Sequence, residues 1–67
     1  MNPNALKSAM AKYGDTQKNL AEALGISRVT LSAKMHGRNA SFTQPEIVAI
    51  KYRYNLTCDE IDSIFFS

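Results

Sequence analysis

The chain has 67 residues, of which 45% are hydrophobic and 21% are charged, and its net charge is +2. This length allows one domain, predicted over residues 1–67, and leaves no room for a separate catalytic domain. No apolar run approaches the roughly 18 residues that a membrane span requires, and no signal peptide is recognisable. The one cysteine, Cys58, cannot form an internal disulfide, so we expect a cytoplasmic protein.

The charges are unevenly distributed along the chain. Residues 1–43 contain six basic and two acidic residues, whereas residues 44–67 contain two basic and four acidic ones. A basic first half and an acidic tail are typical of a protein that faces nucleic acid on one side only. Because the net charge is modest for a nucleic-acid binder, a solvated surface with a chance asymmetry is the alternative interpretation.

Capping residues mark the first two predicted helices. Asn2 can cap a helix that has Pro3 in its first turn, and Gly14 is placed to end it. Thr16 can cap the second helix, and Gly25 allows a left-handed stop at little steric cost. The inward stripe of this second helix has helical spacing and consists of Leu20, Ala21 and Leu24.

A third helix is predicted to begin very soon after the second one ends. Ser27 can cap it and Gly37 can close it, so the turn between the two helices is only Gly25-Ile26-Ser27. This is the length expected of a DNA-binding helix-turn-helix. The outer face carries no acidic group and comprises Arg28, Val29, Ser32, Ala33 and His36.

The residue types on this outer face match the chemistry of base edges in a DNA major groove. An arginine can bind guanine through two hydrogen bonds, a serine can donate or accept, and a valine or alanine can press on a thymine methyl group. The alternative interpretation is that these side chains are merely solvated residues on a helical hairpin.

The last two predicted helices begin with the same sequence pattern. The segments 43–46 and 57–60 each place a threonine three residues before a glutamate, which is a capping box. We expect the fourth helix to run to about Tyr54, with Asn55 as a left-handed stop. The fifth helix is expected to end within the last three residues. The predicted architecture is therefore all-α, with five helices and no strand.

The stretch TQKNLAEALGISRVTLSAKMHGR, residues 16–38, resembles the helix-turn-helix of the Cro and CI-type family, also called the xenobiotic-response-element or lambda-repressor-like type. The typical run there is TQ..LA..LG.S...(I/L)S....G, and the similarity extends over about residues 4–61. The resemblance implies a compact five-helix lambda-repressor-like bundle with its helix-turn-helix at about residues 16–37. It also implies a sequence-specific transcriptional regulator, a phage- or prophage-like repressor, whose third helix reads the major groove of double-stranded DNA.

Specific contacts follow from this interpretation. We expect Arg28 to make the strongest base contact. Gln17 is expected to bind a phosphate through its side-chain amide or its backbone N–H and to support the base-reading end of the third helix. The base-contacting residues would be Arg28, Val29, Ser32 and Ala33. The phosphate-contacting residues would be Thr16, Gln17, Ser27, His36, Arg38 and Asn39.

Relatives in this family commonly bind two-fold symmetric operators as dimers. Two of the last three residues of this chain are phenylalanines, which are hard to bury in so small a domain. A homodimer is therefore expected, with an interface formed by Ile64, Phe65 and Phe66.

The sequence departs from the family at three places. Met10 and Met35 stand where several relatives have a buried Arg–Glu pair, and we predict that these two methionines touch in the core. Lys34 replaces a residue that is often apolar, and its stem is predicted to cover the core while its ammonium reaches water. Ala33 replaces a longer residue that contacts bases, so readout would depend on Arg28 and on DNA shape.

Two other interpretations remain at this point. One is a protein-interaction module, antitoxin-like or adaptor, that uses the same fold and binds DNA weakly. The other is a detached N-terminal half of a longer repressor, although the chain ends straight after a complete fifth helix. An enzyme has no support, because there is no phosphate-binding glycine loop and no HExxH, and one cysteine and one histidine cannot build a zinc site. No metal, cofactor or small-molecule ligand is expected.

Overall fold

A computed structural model of the chain describes residues 1–37 and 40–66. Within those residues it contains no strand and five helices, which confirms the predicted all-α architecture. The helices are α1 (Pro3–Lys12), α2 (Gln17–Leu24), α3 (Arg28–Met35), α4 (Gln44–Arg53) and α5 (Cys58–Phe65). None of these helices has the length and apolar character that crossing a bilayer requires.

The predicted caps define where the helices begin. The side-chain oxygens of Asn2, Thr16 and Ser27 each accept a hydrogen bond from the backbone N–H three residues ahead, at 3.2, 3.1 and 3.1 Å. Helices α4 and α5 both start with the complete predicted capping box. Because each cap satisfies an N–H that has no intrahelical acceptor, it stabilises its helix by about 1 kcal/mol.

The turn between α2 and α3 has the predicted three residues. Gly25 adopts φ +70°, in the left-handed region, and Ser27 already caps α3. A side chain at position 25 would strain this left-handed conformation. Glycine adopts it at little cost, so the chain can change direction immediately after α2. As a result α2 and α3 pack directly against each other, while α1 packs on α5.

All five helices contribute to one buried cluster. Met10 and Met35 are both members of it, with exposed fractions of 4% and 1%, so the apolar pair occupies the core as expected and the contact between the two stays a prediction. The buried apolar residues are Leu6, Met10, Leu20, Ala21, Leu31, Met35, Ile50, Tyr54, Leu56, Ile61 and Ile64. Each large side chain that is removed from water here contributes about 1.5–3 kcal/mol before the cost in conformational entropy.

The environment of Lys34 differs from the prediction. Its side chain is only 12% exposed, and its Nζ donates hydrogen bonds to Glu46 Oε1 at 2.8 Å and to the Ser41 carbonyl at 3.2 Å. The sequence did not predict this ion pair, which forms because the start of α4 brings a carboxylate within reach of the ammonium. Glu46 Oε1 also accepts the Thr43 N–H at 2.8 Å. One carboxylate thus joins the last turn of α3 to the first turn of α4.

Candidate nucleic-acid interface

The outward side of α3 carries the four side chains that the sequence predicts to contact bases. The opposite side of the helix is buried in the core. On the outward side, Arg28 and Val29 are exposed, whereas Ser32 and Ala33 are partly buried. Val29, in the first turn of α3, is 80% exposed, which is high for an apolar side chain. An exposed aliphatic group next to an arginine is a surface that can contact both the polar and the methyl edges of bases.

Gln17, the first residue of α2, lies beside this surface. Together with Arg28, Val29, Ser32 and Ala33 it lines an open concavity of about 330 Å³. The structure therefore brings together the residue predicted to hold a phosphate and all four residues predicted to contact bases. Among the residues that the structure describes, no acidic side chain lines this concavity. We call these five residues the α2–α3 surface.

The guanidinium of Arg28 is available to an outside acceptor. Within residues 1–37 and 40–66 it has no hydrogen-bonding or ion-pair partner. An arginine presents five N–H donors in a fixed planar arrangement, and these are attracted to oxygen acceptors such as guanine O6 and phosphate. A ligand that binds here would not have to displace an internal contact.

The predicted phosphate contacts have different geometries. Thr16 uses its Oγ1 to accept the Asn19 N–H, which leaves its hydroxyl hydrogen for another acceptor. Ser27 already donates its hydroxyl hydrogen to Thr30 Oγ1 at 2.9 Å, so it would have to give up that bond in order to donate to a phosphate. His36 is exposed at the opposite end of α3. Arg38 and Asn39 lie outside the described residues.

A polar cluster that was not predicted lies beside the start of α2 and consists of Asp15, Thr16, Arg53 and Tyr54. The Asp15 carboxylate accepts hydrogen bonds from Arg53 Nε at 2.7 Å, from the Tyr54 hydroxyl at 2.6 Å and from the Thr16 N–H at 2.9 Å. The Asp15 side chain is only 8% exposed. We call this group the Asp15 cluster. No local spacing in the sequence indicates it, because Arg53 is 38 residues from Asp15.

The charge of Asp15 depends on this cluster. The Arg53 guanidinium, opposed by desolvation and assisted by Tyr54 and the Thr16 N–H, lowers the pKa of Asp15 from 3.8 to about 2. When the pKa of a carboxyl group is lower in the folded protein than in the unfolded chain, its ionised form stabilises the fold at every pH above the unfolded-state pKa. This stabilisation is lost as the pH falls through the folded-state pKa.

Asp15→Asn is therefore expected to lower the free energy of unfolding by about 1–2 kcal/mol at pH 6, with a deficit that shrinks between pH 4 and pH 2. The physical reason is that below about pH 4 the unfolded wild-type chain binds a proton at Asp15 that the folded protein takes up only near pH 2, so the advantage of the ionised carboxylate disappears over this range. Chemical denaturation of both proteins across this pH range measures the effect. A deficit that is equal at pH 6 and pH 2 would contradict it.

The C-terminal residues proposed for a dimer interface lie in different environments. Ile64 is 3% exposed, and its carbonyl accepts the Asn2 N–H at 2.7 Å, so its assignment to an interface is wrong. The physical reason is that Ile64 belongs to the buried cluster, on a helix that packs against α1. Phe65 packs against Phe42, with ring centres 5.4 Å apart, whereas Phe66 is 69% exposed. Of the three residues, Phe66 offers the largest free surface.

Comparison of the chain with protein-family models, with curated proteins and with solved structures gives no match. A functional assignment therefore depends on the sequence pattern of residues 16–38 and on the geometry of the α2–α3 surface.

Proposed function

We propose that the protein is a sequence-specific double-stranded-DNA-binding transcriptional regulator of the Cro and CI-type, with α2 and α3 as its helix-turn-helix. The observation that carries this proposal is the α2–α3 surface, where Arg28, without a partner among residues 1–37 and 40–66, and the 80% exposed Val29 lie beside Gln17. A helix that enters a groove has to be held rigidly on its inner side, which burial provides, and its outer side has to carry no group that repels phosphate, such as a carboxylate.

Helix α3 has dimensions that suit this role. Its eight residues give a length of about 12 Å, and the major groove of B-DNA is wide enough to admit an α-helix. In this arrangement Arg28 binds guanine, Val29 and Ala33 contact thymine methyl groups, and Ser32 bonds to either kind of base edge.

The start of α2 supplies the phosphate contact. The N–H groups of the first turn have no intrahelical acceptor, and the helix dipole favours an anion there. Thr16 caps only the Asn19 N–H, so the N–H of Gln17 stays available beside the base-reading residues. A phosphate bound at Gln17 would set the depth and the register of α3 in the groove.

The resemblance to phage repressors supports a repressor that acts in the cytoplasm, as a homodimer on a two-fold symmetric operator. Phe66 at 69% exposure supports a contact between two copies near the end of α5. Sedimentation at micromolar concentration tests this part of the proposal, with a dimer as the expected species. A protein that sediments as a monomer both alone and on DNA would contradict it.

In vitro selection from a random pool of duplexes tests the DNA-binding proposal as a whole. We expect enrichment of one motif, repeated as two inverted half-sites about one helical turn apart. The binding constant should fall steeply with rising salt, because phosphate contacts release counterions. If no sequence is enriched and no duplex is retained even at low ionic strength, the proposal is wrong.

A protein-interaction module, antitoxin-like or adaptor, is the second candidate, and one observation favours it. Helix α4 carries an exposed stripe without charge, next to the exposed Arg53, and this stripe consists of Pro45, Val48, Ala49 and Tyr52. Tyr52 is 78% exposed, so this stripe offers apolar area to a protein partner. This candidate predicts weak, sequence-indifferent DNA binding together with a tight protein partner in a pull-down.

A further inference from the structure

We infer that Asp15 is a positioning residue for DNA binding: held by Arg53 and Tyr54, it orients the start of α2 so that Gln17 meets a phosphate. This inference rests on the proposed function and assigns a role to three residues outside the α2–α3 surface.

The Asp15 carboxylate is held from two parts of the fold. From the end of α4, Arg53 donates through Nε at 2.7 Å and through a terminal nitrogen at 3.2 Å, and the Tyr54 hydroxyl donates at 2.6 Å. From the start of α2, the Thr16 N–H donates at 2.9 Å. Since these contacts use both carboxylate oxygens, the side chain has little freedom to rotate.

The backbone of Asp15 is also fixed. Its N–H donates to the Met10 carbonyl at 2.9 Å, which joins it to the last turn of α1. Asp15 therefore links three helices: α1 through its main chain, α4 through its side chain, and α2 through the Thr16 N–H. Gln17 follows two residues later, so its direction relative to α3 depends on this linkage.

The tyrosine in this cluster is itself well ordered by packing. Tyr54 is 2% exposed, and its ring lies 5.8 Å from the ring of Tyr13. Its hydroxyl is thus presented to Asp15 by the core rather than by a mobile surface chain. A binding group is held in place most effectively by hydrogen-bond donors that are themselves fixed by packing.

The cluster is also compatible with a nearby phosphate. An isolated carboxylate so close to Gln17 would repel an anion, but the Arg53 guanidinium lies 2.7 Å from it and balances its charge. Arg53 is in turn occupied by Asp15 and does not need DNA as a partner. The cluster can therefore orient the start of α2 without adding repulsion.

Tyr54→Phe is the sharpest test, because it removes one hydrogen bond to Asp15 and leaves every charge in place. We expect its affinity for the duplex selected by the wild type to fall about threefold to tenfold, which is the range of one hydrogen bond. Tyr52→Phe is the matched control: this residue is 78% exposed on α4, and the same change there should leave affinity unaltered. Asp15→Asn should reproduce the loss of affinity. Measuring this variant at two salt concentrations separates the effect of the lost charge from the effect of lost positioning.

A double-mutant cycle with Gln17→Pro separates positioning from general stability, because proline is tolerated at the first position of a helix and removes both the side-chain amide and the backbone N–H of Gln17. If Asp15 acts through Gln17, Tyr54→Phe and Asp15→Asn should change affinity by less than about twofold in the Gln17→Pro background. All proteins are compared at a temperature where circular dichroism shows them folded. If Asp15→Asn does not fold, Tyr54→Phe alone decides the result.

Two outcomes would overturn the inference while the proposed function stands. Either both variants bind the selected duplex like the wild type, or their defects are equally large in the Gln17→Pro background. If the wild type selects no duplex at all, the proposed function fails first and the role of Asp15 fails with it.

Discussion

Arg28→Ala is expected to weaken binding to the selected duplex by about 1–3 kcal/mol, roughly fivefold to 150-fold, and to relax the preference at one base pair. The size of the effect follows from geometry. A guanidinium can make two parallel hydrogen bonds to guanine, and an alanine leaves both guanine acceptors without a partner. Selection from a random pool with the variant reports which base pair loses its preference.

The same substitution should leave the fold intact, so a change in binding can be separated from a loss of stability. Because Arg28 has no partner within the described residues, its removal should change the free energy of unfolding by less than about 0.5 kcal/mol. Lys7→Ala is the charge-matched control, since Lys7 is exposed on α1 and does not line the α2–α3 surface. It should weaken binding only slightly and keep the sequence preference. An Arg28→Ala profile identical to that of the wild type would remove Arg28 from base recognition.

Glu46→Ala is expected to cost about 2–4 kcal/mol of unfolding free energy, the largest effect on stability that we predict. The change leaves the Lys34 ammonium without its carboxylate at 12% exposure and also removes half of the capping box of α4. Although desolvation raises the pKa of Glu46, the hydrogen bonds from Lys34 and Thr43 together hold it below its ordinary value. The ionised carboxylate is thus the form that the fold stabilises.

Urea denaturation measures the cost of Glu46→Ala, and a second variant tests its cause. Lys34→Met with Glu46→Gln removes both charges and keeps an acceptor for the Thr43 N–H. If an unpaired ammonium is responsible, this double variant should recover most of the lost stability, since an ion pair can be replaced by neutral groups at little cost. Glu22→Ala, at an exposed position of α2, is the control. A Glu46→Ala protein within about 0.5 kcal/mol of the wild type would show that the pair contributes little.

Lys34 and Glu46 also show where prediction from sequence ends. The capping box that contains Glu46 is visible in the sequence because its two hydrogen bonds join residues only three apart. The ion pair between the same carboxylate and Lys34, twelve residues away, is not visible there. It requires the end of α3 to meet the start of α4, which depends on how the helices pack.

The α2–α3 surface was more accessible to prediction than the groups that support it. Helical periodicity alone indicates that Leu31 and Met35 point inward, and Arg28 and Val29 therefore point outward. The structure adds that Gln17 lies beside them. The role of these residues in binding DNA stays a prediction, which the experiments above address.

The sequence by itself determined the helix boundaries and the side of each helix that faces the core, because caps, left-handed stops and amphipathic periodicity act over one or two turns. Asn2, Thr16, Gly25 and Asn55 all show the predicted local geometry. Only the tertiary structure decided which distant groups meet: the Asp15 cluster, the Lys34–Glu46 pair and the burial of Ile64. These contacts depend on the angles at which helices pack, and those angles follow from the joint burial of apolar side chains from all five helices rather than from any single segment.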